Sequence, residues 1–177
     1  MRGILKTNVY ESKIALTPPL PKGEGVFQQP PREVLLDTNV LVYAHNEDAP
    51  QHRAAKALRD DALDGRIRAC LAHQNLLELF AVVTNPRRVE RPLSPVMARD
   101  LADLYLAQPA FRLIHPTEET SAWLLGLLKE VPVRGARVFD LFLAATMLTN
   151  GVTAIARFNG ADFSRVPGIS VFEPGDP

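Results

Sequence analysis

The sequence predicts an α/β fold with a central parallel sheet of four to five strands flanked by helices. From Val34 onward, short apolar runs of strand length alternate with longer stretches of helical period, and the connections between them are short, which implies parallel strands covered on both faces. A chain of 177 residues with 46% hydrophobic content has enough apolar material for one real core.

Residues 1–33 stand apart. They hold five of the fifteen prolines, Pro18, Pro19, Pro21, Pro30 and Pro31, and sustain no period. They read as a flexible Pro-rich extension, with the folded domain expected over 34–174. "EVLL" then forms a buried strand ending at Asp37. Pro50, tolerated in a first helical turn, opens a helix over "PQHRAAKALRDDALDG" that Gly65 closes. "RIRACLA" is the second strand, followed by a helix from about His73 to Thr84. The loop "NPRRVERPL" breaks the pattern, and Ser94 as N-cap with Pro95 behind it starts a helix through Leu106. "FRLIH" is the third strand, and Thr117 caps a helix running to Glu130. A helix from about Val138 to Asn150 stops at Gly151; "VTAIA" and "GISVF" supply the remaining strands. In such sheets, ligands bind beyond the carboxyl ends of the strands.

Composition narrows the function classes. Twenty basic residues balance twenty acidic ones, so any polyanion must be met by local patches rather than by the net field. Cys70 is the lone cysteine; it cannot close an internal disulfide, which suits a reducing cytoplasm. No apolar run reaches the roughly eighteen residues of a spanning helix, and "MRGILKTNVYESK" is not followed by a signal-type apolar block.

Four acids fall where the pattern calls for apolar residues. Glu78 sits in "NLLELFAVV", where an ionised carboxylate needs a cation, a set of hydrogen bonds or a narrow wet stripe. Asp37 ends the first strand at the lip of the expected crevice. Asp140 in "RVFDLFLAATML" is close to a helix start, where an acid also complements the macrodipole. Asp162 in "FNGADF" belongs to a loop leaving a strand end, where Asx turns are common. Gathered together, the four would repel one another unless a divalent cation sat among them. Oxygen donors without His or Cys select a hard ion, Mg²⁺ or Mn²⁺, and the chemistry that follows is metal-assisted phosphodiester hydrolysis.

These strings resemble the PIN-domain nucleases and, within them, the VapC-like ribonuclease toxins of toxin–antitoxin pairs. "LLDTNVLVYA" resembles the opening strand and acid, "LLELFAVVTNPRR" and "VFDLFLAATML" the helices bearing the second and third acids, and "FNGADFSRVPGISV" the closing loop and strand. The resemblance covers roughly residues 34–174. It implies a PIN-like three-layer fold and a Mg²⁺ or Mn²⁺ pocket of Asp37, Glu78, Asp140 and Asp162 that cuts RNA to leave 5′-phosphate and 3′-hydroxyl ends. It also implies a homodimer and a cognate antitoxin. Thr38 and Asn39 match the polar pair after the first acid, expected to orient ligands or water. Phe158 and Ala136 depart from the pattern, which leaves Asp162 or Asn159 for the fourth position.

Other features have plainer readings. Arg87, Arg88 and Arg91 form either a phosphate-holding patch or a solvated loop. His45, His52, His73 and His115 share no metal spacing and read as packing or surface residues. The Trp123 helix face reads as core or dimer interface. A haloacid-dehalogenase-type phosphatase would need a second aspartate where Asn39 stands. Two alternatives stay open: an RNA-processing or DNA nuclease on the same fold, and a non-catalytic module whose acids hold an ion or a basic partner.

Overall fold

A computed structural model describes residues 33–175. The expected extension over 1–33 lies, apart from Glu33, outside the described residues. In chain order the elements are β1 (Val34–Leu36), α1 (Thr38–His45), α2 (His52–Leu63), β2 (Ala69–Ala72), α3 (His73–Val83), α4 (Pro95–Ala107), β3 (Phe111–Ile114), α5 (Thr120–Glu130), α6 (Arg137–Thr149), β4 (Ala154–Ala156) and β5 (Ser170–Phe172). A short 3-10 helix, Gly160–Arg165, precedes β5.

All five strands are parallel, in the order β3-β2-β1-β4-β5. The two-residue alternation of a strand divides the core into two. Val34, Leu36, Ala69, Leu71, Ala154 and Ala156 face the α1–α4 layer. Leu35, Cys70, Ala72 and Ile155 face α5, α6 and Phe163 of the 3-10 helix. With apolar cover on both faces, the strands read as continuous hydrophobic runs. Trp123, Leu124 and Leu128 pack against the second core, Leu127 is fully buried within it, and Leu125 points outward.

The order reverses at β1. The chain builds β1, β2 and β3 outward to one side, then returns to place β4 on the other, so a crevice opens beyond the carboxyl ends of β1 and β4. Leu36 pairs with Ala156, and the Asp37 N–H donates to the Ala156 carbonyl at 3.0 Å. Asp37 and Arg157 therefore leave the sheet side by side.

Several boundaries differ from expectation for local reasons. Helix α2 begins at His52, because Pro50 is taken into a turn closed by the His52 N–H on the Ala49 carbonyl. Thr117 does not cap α5: its N–H donates to Thr120 Oγ1 at 2.8 Å, forming a turn that delays the helix to Thr120. Strand β2 starts only at Ala69, since Arg66 and Ile67 fold back to donate to the Asp61 carbonyl. Helix α1 follows Asp37 without a break. Its first turn closes on the Asp37 carbonyl, which accepts from Val40 and Leu41. Ser94 and Gly151 behave as expected: Ser94 Oγ accepts from the Met97 N–H at 3.3 Å, and Gly151 takes φ +72° just past α6.

The turn after β4 is the tightest packing constraint near the crevice. Asn159 takes a left-handed conformation, φ 61°, and a Cβ on Gly160 would lie 2.3 Å from Val171 Cγ1. A side chain at that position would force Val171, and with it the contact between the 3-10 helix and β5, to shift. Gly160→Ala is expected to lower stability by about 1–3 kcal/mol, measured by urea unfolding; an unchanged midpoint would show that β5 yields freely.

Candidate active site

Each wall of the crevice contributes an acid. Asp37, 8% exposed at its side chain, is fixed by the β1–β4 pairing and by the first turn of α1 behind it. Glu78, on the second turn of α3, is half-buried. Asp140 stands in the first turn of α6 with 36% of its side chain exposed.

Glu78 is held by hydrogen bonds from both sides. Thr38 Oγ1 donates to its Oε2 at 2.9 Å. Gln74 Nε2 donates to its Oε1 at 2.8 Å and to the Phe139 carbonyl at 3.0 Å, tying α3 to the start of α6. The carboxylate in an apolar helix thus sits at the mouth of the crevice, with Leu77 exposed beside it and Leu79 buried behind. Asn75, fully buried, has its Oδ1 accepting from the Ala72 N–H at 3.0 Å while its Nδ2 reaches Thr38 Oγ1 at 3.3 Å. Asn39 staples α1 to the strand beside it: its Nδ2 donates to the Phe158 carbonyl at 2.8 Å and its Oδ1 accepts the Phe158 N–H at 3.2 Å.

A cation stands among these acids. Arg157, the residue after β4, places Nε 3.3 Å from Asp37 Oδ2 and Nη1 3.6 Å from Asp140 Oδ1. Its guanidinium lies 4.6 Å from the centroid of the Phe163 ring. Sequence reasoning missed Arg157, Gln74 and Asn75. The signal for Arg157 was available: it follows "VTAIA" as Asp37 follows "EVLL", each one residue beyond a buried parallel strand.

Asp162 stands at the rim. Its side chain is 47% exposed and pairs with Arg137 at 3.6 Å, yet it is near enough to raise the Asp140 carboxyl. Asn159 is exposed, and its backbone makes the left-handed turn. The loop arginines are exposed, with Arg91 paired to Asp48. Of the histidines, His45 Nε2 lies 2.8 Å from the Tyr105 hydroxyl, His52 Nδ1 2.9 Å from the Tyr43 carbonyl, and the His73 and His115 rings meet at a tilt of 43° with centroids 4.6 Å apart.

Burial pushes the Asp37 carboxyl up to about 6; Arg157 and the Thr38 N–H oppose this, while Glu78 and Asp140 add to it. Asp140 is raised too, by burial first and by Glu78 and Asp162 in addition, against Arg157. Asp37 and Asp140 therefore both resist ionisation in the crevice. Among the described residues, no three His, Cys, Asp or Glu side chains are arranged to hold a metal ion as they stand; a guanidinium lies between two of the acids instead. No helix among the described residues is long and apolar enough to cross a membrane.

The profile of the PIN domain family matches residues 34–169. Ribonuclease VapC24 of Mycobacterium tuberculosis (strain ATCC 25618 / H37Rv) is 31% identical over 137 residues, 74% of this chain and 92% of that protein. Ribonuclease VapC43 of the same strain is 33% identical over 132 residues, 74% and 90% of the two chains. Among solved structures, VapBC2 from Rickettsia felis bound to a promoter DNA fragment superposes with a TM-score of 0.59 at 18% identity, covering 81% of this chain and 99% of that one. Mycobacterium tuberculosis VapC20, described as a sarcin-ricin loop cleaving toxin, gives 0.57 at 18% identity, covering 74% and 93%. These structural likenesses speak for the fold.

Raised carboxyls in the folded state weaken it above their unfolded range. The unfolded Asp37 carboxyl releases its proton near 3.8 while the folded one keeps it to about 6, so stability falls as pH rises through that window and stays low above it. In EDTA, Asp37→Asn is expected to raise stability at pH 7.5 by up to about 3 kcal/mol, with the gain vanishing near pH 4. Thermal melts at the two pH values measure it; a variant no more stable at pH 7.5 contradicts this electrostatic account.

Proposed function

Because this chain belongs to the PIN domain family, with VapC ribonucleases among its relatives, we propose that it is a metal-dependent endoribonuclease and the toxin of a toxin–antitoxin pair. The observation that carries the reading is the convergence of Asp37, Glu78 and Asp140 on the crevice at the β1–β4 switch point, where Glu78 and Asp140 add to the raised Asp37 carboxyl and Glu78 to the raised Asp140 carboxyl.

The donor set fits a hard divalent ion. It is all oxygen, its members repel one another, and its one cation, Arg157, has Nε and Nη1 buried without a completed hydrogen bond. Asp37, Glu78 and Asp140 would hold Mg²⁺ or Mn²⁺, with Asp162 contributing from the rim. When bound, such an ion supplies a water of lowered pKa and neutralises charge building on the phosphoryl group. Thr38 and Gln74 fix both oxygens of Glu78, so that carboxylate enters the reaction already oriented to hold the ion or to take a proton from water. Asn39 holds the Phe158 segment and with it the β4 edge of the crevice. In this reading the exposed Arg87 and Arg88 meet RNA phosphates on a chain of zero net charge.

The partner in this reading is an antitoxin protein, as in the solved complexes that share the fold. A groove of about 670 Å³ between α3, α5 and α6, lined by Leu77, Ala81, Leu124, Phe139 and Phe142, borders Glu78 and gives an apolar segment of that partner a place beside the acids. A homodimer and a cytoplasmic setting complete the reading, the latter suited to the single, buried Cys70.

Purified protein is expected to cleave RNA with Mg²⁺ or Mn²⁺, leaving 5′-phosphate ends, and to stop in EDTA. Asp37→Asn, Glu78→Gln and Asp140→Asn should each fold and lose about a hundredfold or more of the rate. Gel assays on total RNA and on single-stranded DNA decide the matter: cleavage that persists in chelator rules out the metal mechanism, and cleavage of DNA alone points to the DNA-nuclease alternative.

A further inference from the structure

We infer that Arg157 is a built-in counter-cation that competes with the divalent ion for Asp37 and Asp140, and so sets how tightly this chain binds its metal. The inference rests on the metal site proposed above and deepens it. Its basis is the register of the sheet. Leu36 pairs with Ala156, so the residues that follow, Asp37 and Arg157, emerge together at the point where strand order reverses. The Asp37 N–H bonds to the Ala156 carbonyl and the Arg157 N–H to the Phe172 carbonyl, each at 3.0 Å. Two rigid strands thus fix the base of both side chains, and Arg157, only 14% exposed, reaches into the crevice rather than into solvent.

The contacts are those of a charge held by attraction but not locked. Nε stands 3.3 Å from Asp37 and Nη1 3.6 Å from Asp140, yet neither nitrogen completes a hydrogen bond. A bidentate fork on a carboxylate would be hard to displace; a guanidinium spread over two acids at 3.3 and 3.6 Å gives way more readily. The Phe163 ring at 4.6 Å offers the cation a second favourable contact. Because Phe163 is fully buried and belongs to the 3-10 helix that also carries Asp162, Arg157 links the strand end to the rim acid's segment.

Competition follows from charge and place. An ion entering between Asp37 and Asp140 must share them with a resident positive charge or push it aside, and either raises the concentration of ion needed. Arg157 acts through the acids and is a positioning residue in this account.

Calorimetric titration of Mn²⁺ into the full chain, stripped with EDTA and dialysed, tests this without any turnover. Arg157→Gln is expected to bind Mn²⁺ about tenfold more tightly than the parent or better. Arg157→Lys keeps a charge on a side chain without the fork to serve both acids, so it should fall between them; it also decides the question if the glutamine variant does not fold. Dissociation constants equal to or weaker than the parent's in the folded variants overturn the inference. If the parent and both variants give no Mn²⁺ heat at all, the metal site falls with it.

Discussion

Mutual repulsion among carboxylates confined at one end of a buried sheet is the constraint from which the rest follows. Asp37 cannot move away: it is pinned by a main-chain hydrogen bond to β4 and by the first turn of α1, which closes on its own carbonyl. Asp140 and Glu78 are carried to it on helices whose apolar faces are needed in the two cores. A fold that fixes acids in this way gives up stability unless something positive enters the crevice. Burial first, and the neighbouring acids in addition, raise the Asp37 and Asp140 carboxyls.

Polar contacts around the crevice make sense in that light. Thr38, Asn39, Gln74 and Asn75 spend their hydrogen bonds on holding Glu78 and the α1–β4 junction in place. A site proposed to receive a cation and a phosphate gains from donors and acceptors already fixed, because no reorganisation is then needed at the moment of reaction. Arg157 differs in kind. Its charge is what the acids require, and its Nε and Nη1 are buried 3.3 Å from Asp37 and 3.6 Å from Asp140.

Much of this was legible in the chain. Buried strands announce themselves as short apolar runs, and acids that interrupt such runs mark Asp37, Glu78 and Asp140 without any coordinates. What sequence could not supply was partnership across the sheet. Arg157 stands 120 residues from Asp37 by number, 157 − 37, and only strand order and register make them neighbours. Asn75 and Gln74 read as ordinary helix polars until α1 and α6 are seen against α3. Thr117 looked like a cap because its side chain suits one, but the Thr120 hydroxyl takes its N–H and the helix starts later. Asp162 is expected in the site from its loop after a strand end; it stands at the rim, half-exposed beside Arg137.

The central claim is that the crevice acids share one hard cation at the β1–β4 switch point. The most direct measurement is anomalous diffraction at the manganese edge from crystals of the full chain grown with Mn²⁺. The account predicts a peak within coordination distance of the Asp37 and Asp140 carboxylates, with the Arg157 guanidinium displaced from between them. Ordered crevice side chains with no peak there, or manganese bound only elsewhere on the molecule, would contradict it.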